Sequence, residues 1–508
     1  MGASATLAAT TPGGAWLVLA LALPIIGVLA GFLLGSRRAE PIAFAVLAAN
    51  LAIAFAIACE LLSSRAPVVY LMGGWPPPLG VALAADGLSV AMMLTTSIVQ
   101  IAIALYARAD FATPAGSGDA RRPFVFWTLL MAVGGSITLV VLSRDFFTLY
   151  VGIELLTFTA VPLVALDGRA ETVKAALRYV IYALGGSLFY LVGCVLVYGA
   201  YGTLDMGLVA SRLRADPATI AAASLMTAGL FAKTAVFPLH LWLPPAHAGA
   251  PPAASALLSA LVVKGSYFIV VRLWLDAMPG LLTPAVGQVL GAFGALAIVV
   301  GSAIAIRQPR LKMMIAYSTV GQIGYLLLIF PLVAVAGAAT AAGAAALTGG
   351  MLQVASHATA KAAMFMAAGL VVAGRGHDRV ADFAGLAREQ PWTVAAFALG
   401  GIALVGLPPA GGFVAKWLLL SSAIATAQWW WIAVIVVGGL LTATYVFAVL
   451  GRALRVPANG DAPVAVVPRS RQAVVLGLAI VSTLLGFVAF APVDLVQLGR
   501  PPLAGAPR

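Results

Sequence analysis

Apolar runs long enough to cross a bilayer follow one another from residue 15 to residue 498, with mostly short polar links between them. That pattern constrains the chain more than any motif does. A crossing helix needs roughly 20 apolar residues, because the hydrocarbon core is about 30 Å thick and a helix rises about 1.5 Å per residue. Fourteen stretches qualify: 15–35, 41–62, 80–106, 123–142, 146–166, 174–201, 218–238, 251–275, 283–306, 311–332, 341–372, 391–423, 429–451 and 472–498. Only 9% of the 508 residues are charged and 62% are hydrophobic, whereas a soluble chain carries about 25% charge. In hydrocarbon every backbone polar group must find its partner within the fold, so the expected class is an all-α integral membrane protein. The runs 341–372 and 391–423 exceed one crossing and are candidates for broken helices.

The segment before residue 15 lacks a positively charged leader region, and the first apolar run is too long for the core of a cleaved signal, so it is expected to remain as a helix. Cys59 and Cys194 fall inside expected helices and offer neither a disulfide framework nor a paired-cysteine metal motif.

The net charge of +12 does not point to nucleic acid once its distribution is considered. Counting links alternately from the first helix, one set carries eighteen basic residues: Arg37, Arg38, Arg108, Arg121, Arg122, Arg169, Lys174, Arg178, Arg307, Arg310, Lys312, Arg375, Arg379, Arg388, Arg452, Arg455, Arg469 and Arg471. The other set, with both tails, carries six: Arg65, Arg144, Arg212, Arg214, Arg500 and Arg508. The excess of positive charge in cytoplasmic links places the first set in the cytoplasm and both termini on the other side. That requires an even number of crossings, in agreement with fourteen.

Five basic residues remain: Lys233, Lys264, Lys361 and Lys416 inside apolar runs, and Arg272 near a helix end. A mid-segment acid, Glu154 in "LYVGIELLTF", accompanies them. A lysine at a helix centre costs roughly 2.5–3.5 kcal/mol on insertion, so four deep lysines cost about 10 kcal/mol. Packing gives no reason to keep them; a water-lined path or an internal charge pair does. Desolvation favours a neutral lysine and a nearby carboxylate favours a charged one. A carboxylate approaching or leaving Lys233 would therefore switch it between holding and releasing a proton. A static pair explains Glu154 with one lysine but not a series of four. Lys361 alone has a bland reading, as a side chain near a helix end reaching for the interface.

Two of the lysines adjoin helix breaks. Lys233 precedes "TAVFPLHLWLPPAHAGAPP", with Pro238, Pro244, Pro245, Pro251 and Pro252, and Lys416 follows "GLPPAGGFVA", with Pro408 and Pro409. Proline removes a backbone donor and clashes with the preceding turn. Irregular backbone at membrane depth survives only where protein buries it or water reaches it. Paired interruptions in the two halves of a chain point to an ion path between inverted repeats. The repeat itself is faint: "IYALGGSLFYL" and "AYSTVGQIGYL" match at an offset of 135, whereas Lys233 and Lys416 are 183 apart, so the match is read as coincidence.

His240 and His247 lie in the first break, and His357 stands four residues before Lys361, on the same helical face. Histidine titrates near neutral pH and suits proton relay. Asp86 is read as capping the third helix, where a carboxylate favours the N-terminus. Arg144 and Asp145 are read as an interfacial pair. No phosphate-binding loop, hydrolase elbow, zinc-helix motif or metal-ligand spacing occurs, so neither a catalytic site, a metal site nor a cofactor is expected.

Taken in order, these residues resemble the antiporter-like membrane subunits shared by respiratory complex I and Mrp-type cation/proton antiporters. The resemblance runs over nearly the whole chain and is strongest from about 120 to 420. The family's pattern is a glutamate in helix 5, a lysine in a broken helix 7, a lysine in helix 8 and a charged residue in a broken helix 12. Glu154 in "GIELL", Lys233 in "FAKTAVFPLHLWLPPAH", Lys264 in "SALLSALVVKGSYFIVVR" and Lys416 in "LPPAGGFVAKW" match it, as does "RLKMMIAYSTVGQIGYLLL". The resemblance implies fourteen helices, inverted repeats over helices 4–8 and 9–13, and breaks in helices 7 and 12. "GGWPPPLGVALAADGLSV" and "HATAKAAMF" look most like the D-type membrane subunits of Mrp antiporters. Lysine at 416 departs from the complex I type with glutamate there, and the long lateral helix of the most distal complex I subunit is not expected.

The expected organisation is N-terminal helices over 1–122, a proton-translocating core over 123–423 and C-terminal helices over 424–508. The expected function is a proton-translocating subunit of a multi-subunit Na⁺/H⁺ antiporter in the cell inner membrane, working beside other membrane subunits and without nucleic acid. Na⁺ and K⁺ are not distinguished. The alternative is a proton-pumping subunit of a complex I-like NADH:quinone oxidoreductase or a membrane hydrogenase, whose redox groups would belong to partners. A polytopic lipid-linked glycosyltransferase would need acidic residues on long external loops, which the chain does not have.

Overall fold

The computed structural model describes residues 9–113, 120–456, 465–487 and 492–500. The middles of two polar links, 114–119 and 457–464, part of the last expected run, 488–491, and Arg508 lie outside them. The described chain is nearly all helix: α1 (Ala15–Leu34), α2 (Ser36–Ser64), α3 (Gly87–Phe111), α4 (Arg121–Leu142), α5 (Phe146–Val164), α6 (Ala170–Tyr201), α7a (Pro217–Thr234) and α7b (Leu243–Gly249). It continues with α8 (Pro252–Ala277), α9 (Pro284–Ile306), α10 (Leu311–Ala336), α11 (Ala341–Arg375), α12a (Pro391–Val405), α12b (Gly411–Ala425), α13 (Trp429–Ala453) and α14 (Arg469–Leu484). Among the described residues, eleven helices are long and apolar enough to cross a membrane unbroken. The broken pairs α7a/α7b and α12a/α12b, with α14, bring the crossings to fourteen.

Two boundaries differ from expectation, each for a local reason, and a third expectation holds. α3 starts at Gly87 rather than near residue 80, because Trp75–Gly80 turns the chain into a hairpin. Its strands β1 (Val68–Leu71) and β2 (Ala82–Ala85) run antiparallel, with Val68 opposite Ala85. The 341–372 run is not broken: α11 is one helix of 35 residues, rich in alanine and free of proline. The 391–423 run does break, at 406–410, where Gly406 takes a left-handed turn with φ 87° and Pro408 and Pro409 withdraw two donors.

The two halves carry the same tie. In the first, Phe146 N–H donates to Leu204 O (3.0 Å) and Met206 N–H to Arg144 O (2.9 Å), joining the α4–α5 link to the α6–α7a link. In the second, Leu311 N–H donates to Asp378 O (2.8 Å) and Val380 N–H to Pro309 O (2.9 Å), joining the α9–α10 link to the α11–α12a link. Five crossings separate the first tie from the second, so they lie on opposite faces of the membrane. That is an inverted repeat, registered at 165 residues in α5/α10 and 174 in α6/α11. The offset of 135 was indeed coincidence. By this register Thr319 falls where the first half has Glu154, and Lys361 where it has Ser187.

Glycines set the close approaches. A Cβ on Gly186 of α6 would come within 2.6 Å of Gly229 O on α7a, and one on Gly294 of α9 within 2.6 Å of Gly324 O on α10. Without side chains these helices pack backbone to backbone. The centre of the bundle is α8, wholly buried, and α11, nearly so.

Candidate functional site

The expected lysines form one buried series through that centre. Lys233 ends α7a, where Ala235 turns left-handed with φ 59° and stops the helix. Its Nζ donates to Glu154 Oε1 (2.9 Å), Thr157 Oγ1 (2.8 Å) and Ile153 O (3.2 Å), all on α5. Ser187 on α6 holds the same Glu154 oxygen from the other side. A cavity of about 10 Å³ opens beside the ammonium, lined by Ile153, Thr157, Tyr179, Val262 and Ser266, close to the least that admits one water. Thr234 donates across to Ser266 (2.9 Å), linking α7a to α8.

Lys264 lies on α8 just past a π-helical turn, Leu258–Val262. The wider turn leaves Ser259 O within reach, and Lys264 Nζ donates to it. Ser259 Oγ in turn meets Thr319 Oγ1 on α10 at 2.9 Å.

Lys361 is fully buried in the middle of α11, so the snorkelling reading is wrong: it donates to Ile315 O (3.0 Å) and to Ser318 Oγ, both on α10. His357, one turn away, is equally buried and has no hydrogen-bond partner on either ring nitrogen among the described residues.

Lys416 is held by the break that precedes it. Its Nζ donates to Leu404 O (2.8 Å) and Val405 O (3.0 Å), the last carbonyls of α12a, and sits 4.1 Å from the Tyr325 ring centre. The negative end of a half-helix suits a cation. In the first break the two histidines are buried. His247 stacks on Phe365 at 4.7 Å with neither nitrogen engaged among the described residues, and His240 faces Phe237 at 5.4 Å. Pro244 is buried in α7b and Pro245 half-buried, whereas Pro238, Pro408 and Pro409 lie on the outer edges of their breaks.

Sequence reasoning missed three members. Lys312, counted among the link cations, is buried in the first turn of α10 and donates to Ala250 O (2.6 Å) and Ala248 O (3.4 Å), holding the C-terminal end of α7b. Gln353 on α11 donates to Gln322 on α10 (3.0 Å), which donates to Leu404 O (3.3 Å), the carbonyl that Lys416 also uses. The two glutamines thus lead to the Lys416 carbonyl, and His357 and Lys361 follow Gln353 at successive turns of α11. The available signal was two glutamines inside apolar runs, "TVGQIGYL" and "MLQVASH".

Arg144 does not pair with Asp145, which instead caps α5 by accepting from Thr148 N–H (2.8 Å). Arg144 reaches Asp86 (3.0 Å), within a buried cluster at one end of α8. There Arg272 donates to both oxygens of Asp86 (2.6 and 2.7 Å) and to Asp276 (2.6 Å), while Arg500 donates to Asp276 (2.5 Å). Asp86 caps α3 as expected, accepting from Ser89 N–H at 3.0 Å. On the same face, Asp205 lies in the α6–α7a link, and desolvation raises its carboxyl above the usual range against the pull of Leu208 N–H.

A membrane bundle of inverted halves, with lysines threaded through its centre, defines a class of ion-translocating subunits. Residues 143–442 match the family described as "NADH:quinone oxidoreductase/Mrp antiporter, TM", and the chain belongs to that family. NADH-quinone oxidoreductase subunit N of Desulforudis audaxviator is 34% identical over 80% of this chain and 80% of its own. The D subunit of the Na(+)/H(+) antiporter of Alkalihalophilus pseudofirmus is 27% identical over 73% of each. A chain in the structure of the Mrp complex from Dietzia sp. superposes with a TM-score of 0.85 at 25% identity, over 96% of both chains.

Proposed function

We propose that this chain conducts protons as one membrane subunit of a larger cation/proton antiporter. The observation that carries the reading is the Lys233–Glu154 pair at 2.9 Å, its ammonium buried beside a small cavity at the broken end of α7a. Protons enter between α7 and α8, pass His240 and His247, and load Lys233 and Lys264. They continue by His357 and Lys361 along Gln353 and Gln322 to Lys416. Glu154 sets the occupancy of Lys233, since a carboxylate at hydrogen-bond distance favours the ammonium and its withdrawal releases the proton. The unpartnered imidazoles are suited to receive and return protons between lysines. The relay core is 123–423, with 1–122 and 424–508 packed around it. The assembly sits in the cell inner membrane, with the eighteen-residue basic set of links in the cytoplasm and both termini opposite.

The antiporter reading draws on the fit to the Mrp complex along nearly the whole chain and on lysine, not glutamate, at 416. A second reading, coupling the same relay to NADH:quinone oxidoreduction, draws on the 34% identity to an oxidoreductase membrane subunit. In either, the relay acts with other membrane subunits, and these decide whether Na⁺ or K⁺ moves. Purifying the tagged chain from its native membrane and identifying its partners separates the two: antiporter subunits in one case, quinone-reactive subunits in the other.

The relay is tested in proteoliposomes holding the assembled complex. Lys233→Ala and Glu154→Ala are each expected to abolish cation-dependent proton flux. Full flux in both would overturn the relay.

A further inference from the structure

On the basic face of the bundle, a cavity of about 330 Å³ lies between the start of α6, the end of α7b and the start of α10. Among the described residues Arg169, Lys174, Arg178 and Arg310 line it, with Glu171 as the one acid. Two of these cations are answered. Arg310 pairs with Asp378 at 2.9 Å, and Arg169 donates to Asp167 (3.3 Å) and Gly249 O (3.0 Å). Lys174 and Arg178 have no ion-pair or hydrogen-bond partner among the described residues, and Glu171 pairs with neither.

The helix that carries these two cations continues as an apolar stripe. Leu177, Ile181, Leu184 and Leu188 follow at helical spacing and are 59%, 71%, 42% and 62% exposed. From Leu177 to Leu188 the stripe runs about 16 Å along α6, the length scale of an acyl chain. Two unanswered cations at the membrane face, above an exposed apolar stripe on one helix, fit a molecule with an anionic head and a hydrocarbon tail.

We infer that this cavity is a binding site for the phosphate of an anionic glycerophospholipid, whose acyl chain lies along the α6 stripe. Basic pockets between membrane helices hold such headgroups, and the charge complementarity is specific to Lys174 and Arg178. The site stands on its own geometry and does not depend on the proton relay.

Native mass spectrometry of the intact, detergent-solubilised complex tests it, with phosphatidylglycerol and phosphatidylcholine supplied in equal amounts. Phosphatidylglycerol is expected to be retained and phosphatidylcholine lost. Lys174→Gln with Arg178→Gln should cut that retention by about tenfold or more. Arg452→Gln with Arg455→Gln, which removes the same charge elsewhere on this face, should leave it unchanged. If the Lys174/Arg178 double variant does not assemble, Lys174→Gln alone gives the same readout. Equal retention of both lipids, or an undiminished signal in the variant, overturns the site. So does displacement of the lipid by millimolar inorganic phosphate, which would make it a free-anion site. A crosslink from Lys174 to a carboxylate of a neighbouring subunit, with no lipid retained, overturns it in favour of a protein contact.

Discussion

Single residues divide into those that a charge in an apolar run betrays and those that it does not. Glu154, Lys233, Lys264 and Lys416 were legible because each is expensive where it stands. Lys312 was not, because it follows "RQPR" and lies one residue inside α10, within the error of any boundary drawn from composition. Gln322 and Gln353 were missed because an amide carries no net charge to flag it. The Asp86–Arg272–Asp276 cluster was legible only in pieces: its members are 186 and 4 residues apart, and nothing local joins them. Its energetics are testable. Asp86→Asn strips the bidentate partner from a fully buried arginine and is expected to destabilise the bundle by about 3–5 kcal/mol, read as a fall in the thermal midpoint of the solubilised complex. Glu40→Gln, which breaks the exposed Arg108–Glu40 pair at 2.8 Å, should cost under about 1 kcal/mol.

At the scale of elements, the sequence located nearly every crossing because hydrocarbon thickness sets helix length. It could not tell a long helix from a broken one by length alone. α11 and the α12 pair are similar runs, and the difference is that Pro408 and Pro409 occur in one and no proline in the other. The approach of α6 to α7a through Gly186 and Gly229 flanks the Lys233–Glu154 pair, since Gly186 lies against Lys233 and its neighbour Ser187 holds Glu154. A Cβ on Gly229 would meet Gly186 O, whereas one on Gly185 would meet nothing within 4 Å. Gly229→Val is therefore expected to part the two helices and reduce proton flux by about tenfold or more, and Gly185→Val to leave it near wild type. Equal flux in both variants would show that the close packing does not set the pair.

For the whole molecule, the repeat was nearly invisible in sequence because what recurs is a tie between links, not a string of residues. The register changes from 165 to 174 between the two strands of that tie, so no single offset aligns the halves. The halves are also unlike in charge: the helices α9 to α13 themselves contain no acidic residue, and the acids of that half, Asp378, Asp382 and Glu389, all lie in the α11–α12a link. The C-terminal segment closes the molecule. Leu498 O accepts from Gly87 N–H at 2.9 Å, and Arg500 reaches Asp276 at 2.5 Å. Ending the chain at residue 491 is expected to lower the thermal midpoint of the complex, and to lower it less when Asp276 is already Asn, because the two changes share a partner. Independent, additive shifts would mean that the segment does not act through the cluster.

Four of the lysines rest on backbone carbonyls: Ser259 O for Lys264, Ala250 O with Ala248 O for Lys312, Ile315 O for Lys361, and Leu404 O with Val405 O for Lys416. This has a consequence for genetics. Loss of Lys233 leaves a side-chain carboxylate behind, so a charge swap, Glu154→Lys with Lys233→Glu, offers a route to a compensating second mutation. Loss of Lys264 or Lys416 leaves main-chain carbonyls that no codon change can re-polarise. Revertant screens begun from those two positions should return the original lysine far more often than a suppressor elsewhere.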